Sequence, residues 1–328
     1  MQTPRRVRDL GVTVGTLPPG PLNAITDVPG VRVGQTTIST GDLNTGVTAI
    51  VPDGYADGLP AAVAVGNGYG KLVGSSQVDE LGVIETPVLL TGTLSVFRVA
   101  DALLTWLLDR DPKATSLNPV VGETNDGHLS DIRRRPITPE HVHAALDSAS
   151  TDLPAEGCVG AGTGTEALGF KAGIGTASRT LDSGTIGVLV QANFSGTLTV
   201  LGTPIPAQPV PAQSDPAQPV DGDGNSCMIV VATDLPLDAR QLGRVARRAV
   251  FAMGRVGSDF GPGSGDYAIA FTTNRRSAFV DRQLRGPFQA TTESVEEALL
   301  NSLTMATTTT GFRGRTAHAV PHDLIRLR

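Results

Sequence analysis

The 328 residues carry a formal net charge of −6, are 40% apolar, and hold no apolar run long enough to span a bilayer. This argues against a membrane-spanning helix and against nucleic acid as a main partner. Two cysteines, Cys158 and Cys227, cannot build a disulfide framework, and the basic start (MQTPRR) leads into no apolar signal core, so a cytoplasmic enzyme or binding protein is expected. Glycine is abundant, 39 residues, and aromatics are scarce at 4%; that combination predicts tight turns and a sheet-rich scaffold. Along the chain, Gly46–Val51, Ala61–Val65 and Pro87–Thr91 have the apolar, β-branched texture of strands. Ser95–Asp109 places Val96, Val99, Leu103, Trp106 and Leu107 at helical spacing. Thr138-Pro139-Glu140 reads as a capped helix start, with Thr as N-cap and Pro as first helical residue. Thr185–Ala192 is another strand. Residues 203–225 then change texture, with Pro-Ala-Gln recurring at 206, 211 and 216. Proline removes donors and fixes φ, so this stretch is predicted as an extended linker outside any sheet or helix. Beyond it come a strand from Ser226 to Asp234, a helix with Leu242, Val245, Ala246, Ala249, Val250 and Met253 on one stripe, a strand Tyr267–Thr273, and a helix over Thr292–Ala306. Those last elements are too few to cover a sheet on both sides, so they are expected to complete a sheet begun earlier.

Familiar catalytic signatures are absent. There is no Gly-x-Ser-x-Gly elbow, and GNGYGK at 66–71 is too short for a phosphate-binding loop. The five histidines, at 128, 141, 143, 318 and 322, show no metal-ligand spacing. The junction Gly222-Asp223-Gly224-Asn225-Ser226 is more informative. It is either an ordinary polar turn entering a strand or a site of self-cleavage. In the second case the Ser226 hydroxyl attacks the preceding carbonyl and the resulting ester hydrolyses. Ser226 then becomes an N-terminal residue. Its α-amine, with a pKa of about 7.7–8.0, can serve as general base for its own Oγ. That would supply a base where the sequence offers no evident Ser-His-Asp set.

Several segments together resemble one family. They are ITDVPGVRVG at 25–34, Gly66-Asn67-Gly68, QVDELGVIETP at 77–87, ETNDG at 123–127, GFKAGIGTASR at 169–179 and NSCMIVVATD at 225–234. The chain is similar, almost end to end, to the N-terminal-nucleophile aminopeptidases that include L-aminopeptidase/D-esterase-amidases and β-peptidyl aminopeptidases. The resemblance implies a four-layer αββα sandwich, with two mixed sheets face to face and helices outside. It implies a single domain cut into residues 1–225 and 226–328, the first ending in a disordered Pro-rich tail over 203–225. The cut falls between Asn225 and Ser226, and Ser226 is the nucleophile.

Ser264-Gly265-Asp266, 38 residues further on, matches the family's Ser-x-acid pair. Ser264 would bond the nucleophile or its amine, and Asp266 would orient it and hold positive charge nearby; Asp is one methylene shorter than the Glu found in some members. Asn193 matches the oxyanion donor. Glu123 matches the group that binds the substrate's free amine, with Asp126 close by as an alternative. Asn67, Tyr69 and Glu80 are candidates to line the cleft, without assigned roles. The implied substrates are small peptides, amides or esters, with no metal or organic cofactor. Assembly into a homo-oligomer of cleaved units is implied as well. Two alternatives stand at this point: an acyl transferase of the ornithine-acetyltransferase type, which uses Thr as nucleophile, and an uncleaved, non-catalytic binding protein.

Overall fold

Leu43–Pro52 is buried at every position, which a strand tolerates only when both its faces are covered. The same holds for Val88–Gly92, Val120–Thr124 and Ser264–Thr272. A computed structural model describes residues 2–205 and 225–326, and it shows how that covering is done. In chain order the strands of the two large sheets are β1 (Val31–Thr40), β2 (Leu43–Pro52), β3 (Leu59–Gly68), β4 (Leu72–Val73), β5 (Val83–Ile84), β6 (Val88–Gly92), β7 (Val120–Thr124), β8 (Ile174–Leu181), β9 (Gly184–Asn193), β10 (Asn225–Thr233) and β11 (Ser264–Thr272). The helices that cover them are α1 (Ser75–Leu81), α2 (Val96–Leu108), α3 (Pro139–Asp147), α4 (Ala239–Met253) and α5 (Arg285–Thr304).

One sheet has the order β1-β2-β6-β7-β4 and the other β8-β9-β10-β11-β3-β5. Side chains alternate across each. On β2, Val47, Ala49 and Val51 pack outward against Val99, Leu103 and Trp106 of α2 and Val142 of α3. Ile50 faces the other way, with Leu90 and Val120, onto Leu189, Met228, Val230 and Phe271 of the six-stranded sheet. Ile229, Val231, Ala268 and Ala270 turn to the far side, under Leu242, Val245, Val295 and Leu299. The layers are therefore helix, sheet, sheet, helix, the αββα sandwich, and residues beyond 225 complete a sheet begun earlier.

Three sequence expectations are corrected in detail. The helix expected over Thr292–Ala306 runs instead from Arg285 to Thr304; Pro287 sits in its first turn, where its missing N–H is not needed. Thr203–Pro204 does enter a small hairpin, paired with Thr199–Val200, because a two-residue edge pairing asks little of a proline. Asn225 is likewise the first residue of β10. The rest of the Pro-rich stretch, 206–224, lies outside the described residues. Among the described residues no helix is long and apolar enough to cross a membrane.

Candidate active site

Strand direction gathers the site. β9 runs antiparallel to β10, β10 parallel to β11, and β11 antiparallel to β3. So the C-terminal ends of β9 and β3 meet the N-terminal ends of β10 and β11 at one end of the sheet. Asn193 is the register partner of Ser226, Ser226 of Gly265, and Asp266 of Asn67. Ser226, Asn193, Ser264 and Asp266 are all buried.

The Ser226 hydroxyl donates to the carbonyl oxygen of Asn225 at 2.5 Å. By strand alternation Ser226 shares the face of Met228 and Val230, between the sheets, while Asp266 shares the opposite face with Ala268 and Ala270. The acid is thus placed beside the strand backbone next to Ser226. The Cys227 backbone amide is among the groups bonded to the Asp266 carboxylate. Ser264 Oγ donates to Asp266 Oδ1 at 2.7 Å and Asn67 Nδ2 donates to Oδ2 at 3.0 Å. Burial pushes the Asp266 carboxyl above the ordinary value, opposed by these three bonds. The backbone N–H of Glu166 donates to Asn193 Oδ1 at 3.0 Å. That bond orients the amide, turning Nδ2 away from Glu166.

Asn67 was readable only as part of a motif. Its role depends on a register shift between Asp266 and Tyr267. The extra residue, Gly66, faces α4: a Cβ there would lie 2.7 Å from Val250 Cγ1. This bulge turns Asn67 onto the same face as Asp266. Nothing in a linear sequence marks such a bulge beyond the glycine itself.

Glu123 comes from the other sheet. It stands one residue past the Leu72↔Gly122 pair of β4 and β7 and reaches the turn between β3 and β4. Its Oε1 accepts from the Lys71 backbone N–H at 3.0 Å, and the Lys71 ammonium lies 3.4 Å away. Its buried Oε2 has no hydrogen-bond partner among the described residues. A Cβ on Gly70 would lie 3.0 Å from Gly265 Cα and 3.2 Å from Glu123 Oε1, so Glu123 borders the residue paired with Ser226. Asp126, the alternative, is buried and its carboxyl is pushed up to about 7, mainly by burial and further by Glu123. The two sheets are tied beneath the site by Gln191, whose Nε2 reaches Thr124 Oγ1 at 2.8 Å and the carbonyls of Ala161 and Thr91. Two histidines serve elsewhere: His141 caps α3 through Thr138, and His322 meets the Thr304 carbonyl; His128 Nε2 lies 3.7 Å from Glu166 Oε1.

A serine at the start of a central strand, between two layers of sheet, with an amide and a Ser-x-Asp pair at its flanks, defines an N-terminal-nucleophile hydrolase. The comparisons agree and narrow it. The model of peptidase family S58 matches residues 23–317, and the chain belongs to that family; it is an aminopeptidase, a hydrolase of the N-terminal-nucleophile type. It is 41% identical to the β-peptidyl aminopeptidase BapA of Sphingosinicella xenopeptidilytica, over 97% of this chain and 89% of that one. A β-aminopeptidase of Burkholderia sp. superposes with a TM-score of 0.88 at 36% identity, covering 98% and 97% of the two chains. The L-aminopeptidase D-Ala-esterase/amidase of Ochrobactrum anthropi, described as a variant of the Ntn hydrolase fold, does so with 0.86 at 36% identity, over 98% and 97%.

Proposed function

We propose that the chain cuts itself between Asn225 and Ser226, and that the exposed Ser226 then removes the N-terminal residue from small peptides, amides or esters. The observation that carries this is the Ser226 hydroxyl resting 2.5 Å from the Asn225 carbonyl oxygen, at a sheet end shared with Asn193, Ser264 and Asp266. In processing, Oγ attacks the Asn225 carbonyl carbon, the peptide C–N bond breaks, and the Oγ proton passes to the Ser226 nitrogen, which leaves as an amine. Water then splits the ester, leaving a carboxylate on Asn225 and a free amine on Ser226. In turnover the amine takes the Oγ proton as Oγ attacks the scissile carbonyl. Asn193 stabilises the oxyanion, the proton passes to the leaving group, and water releases the acyl group. Ser264 and Asp266 hold the amine in place. Glu123 receives the substrate's ammonium: its Oε1 is anchored on Lys71 while its buried Oε2 is left to accept. The names of the relatives span α- and β-amino acid substrates, so the acyl residue is framed by its free amine.

Intact-mass measurement tests the processing step. Active protein should consist of two fragments, the second starting at Ser226, and Ser226→Ala should stay uncut. A single intact chain in active protein would overturn the scheme. Glu123→Gln should raise KM for free-amine substrates and leave processing largely intact, and N-acetylated substrates should be poor for the wild type. Assembly of the cut units into a homo-oligomer belongs to the same proposal. Light scattering on purified protein checks it.

A further inference from the structure

We propose that Lys71 sets the charge preference of the amine site. It disfavours substrates whose N-terminal residue carries a second positive charge and favours those with an anionic group near the amine. The inference rests on Glu123 being the amine site.

Lys71 sits in the turn between β3 and β4, and it has two separate relations to Glu123. Its backbone N–H donates to Oε1 at 3.0 Å, which anchors the carboxylate whatever the side chain at 71. Its ammonium donates to Thr93 Oγ1 at 2.8 Å and lies 3.4 Å from the same Oε1. The Glu123 side chain is only 2% exposed, while that of Lys71 is 40% exposed. The anion is therefore inside and the cation is at its mouth. A substrate ammonium placed on Oε2 has the Lys71 charge as its neighbour.

The primary ammonium is accepted because Oε2 is buried and has no hydrogen-bond partner among the described residues. A second cation on the same residue finds Oε2 already taken and has the Lys71 charge beside it. At a separation of several ångströms near a protein surface, two like charges differ from a neutral pair by roughly ten- to a hundredfold in binding. The half-exposed lysine puts the effect at the lower end, about tenfold, once solvent and salt screen it. A carboxylate near the amine gains from the same geometry. The lysine ammonium has three donors, of which Thr93 and Glu123 use two.

The test compares kcat/KM for the p-nitroanilides of Ala, Lys and Asp, with N-acetyl-Ala p-nitroanilide as a control. The wild type, Lys71→Met and Lys71→Arg are measured. The wild type should prefer Ala over Lys by about tenfold. In Lys71→Met that ratio should fall by at least about threefold, and the Asp substrate should lose ground to Ala. Lys71→Arg keeps the charge and should keep both preferences. Lys71→Gln carries the same expectation as Lys71→Met should the latter fail to fold or process. A smaller change in the Ala-to-Lys ratio, with the acetylated substrate still rejected, overturns the role of Lys71 alone. Equal turnover of the acetylated substrate removes the amine site itself, and this inference with it.

Discussion

Asp266 has both carboxylate oxygens engaged, one by Ser264 and the other by Asn67. Those bonds favour the ionised form, while burial opposes it and leaves the carboxyl above its ordinary value. Deleting the Asn67 amide therefore raises it further. A hydrogen bond to a charged group is worth about 1.5 kcal/mol or more, or about one pH unit. In the proposed mechanism catalysis needs Asp266 ionised and the Ser226 amine neutral. Asn67→Ala should then move the acid limb of the kcat/KM profile to higher pH, costing more activity on the acid side of the profile than near pH 9. A uniform loss at all pH values would mean that Asn67 serves only the fold. Of the candidate site residues, Ser226, Asn193, Ser264, Asp266 and Glu123 were legible by resemblance to a family; the fold brings the first four to one end of one sheet, and Glu123 approaches them from the other. Asn67 and Lys71 stood in the same readable stretch, GNGYGK. Their roles were not legible, because one depends on a bulge and the other on a contact with the opposite sheet.

Glycine plays a different part where α5 lies on β8. A Cβ on Gly175 would come 1.9 Å from the Ala298 carbonyl oxygen and 2.7 Å from the Ser302 nitrogen. Both atoms are helix backbone and cannot turn aside as a side chain does. Gly175→Ala must lift α5 from the sheet, which should destabilise the protein by about 3 kcal/mol, at the upper end of overpacking effects. Thermal or denaturant unfolding of the variant against the wild type measures it; an unchanged midpoint would show that α5 can shift freely. The GFKAGIGTASR segment is thus tied to a backbone approach that no periodicity expresses. Element by element, the legible parts are those where local pattern and tertiary burial agree. The stripe on α4 and the apolar runs of β9 and β10 are of this kind. The first turns of α5 are not, since RGPFQATT has no apolar stripe and becomes helical through packing. Nor is β4, two residues long and paired through β7. The order β1-β2-β6-β7-β4 rests on non-local pairing. The two-sheet sandwich was therefore available only through the family resemblance.

At the scale of the whole molecule, buried acids set how stability responds to pH. Asp126 is held at about 7 against an ordinary 3.8, chiefly by burial, with the Thr45 hydroxyl and the Lys171 ammonium opposing. Glu166 is likewise held at about 7 against 4.5, again chiefly by burial, opposed by Lys171 and Arg315. Glu156 and Asp266 shift the same way. Between the two values of each group the folded chain keeps a proton that the unfolded chain releases. The unfolded state binds fewer protons there, so stability falls as pH rises from about 4 to about 7. Asp126 alone accounts for up to about 4 kcal/mol of that decline. The opposite group contains Glu297, held down by Arg8 and Arg179, and Glu293, held down by Gln289, the Thr16 and Leu17 amides and Arg179. Their contribution is lost as pH falls through their depressed values. The two sets together place greatest stability on the mildly acidic side of neutral. Tm should be higher at pH 5.5 than at pH 8, and Asp126→Asn should shrink the difference. A wild-type Tm that is higher at pH 8 would show that these acids are ionised in the fold or share their protons differently. The proposed amine base works best where it is neutral, between roughly pH 7 and 9. Catalysis and stability then pull in opposite directions, and the residue between them is Asp126, close enough to Glu123 to feel its charge. Binding a substrate ammonium at Glu123 would ease that repulsion, so a bound amine should stabilise the protein more at pH 8 than at pH 5.5. Melting curves with a non-hydrolysed amine at the two pH values read this directly, and equal stabilisation at both would sever the coupling between Asp126 and the amine site.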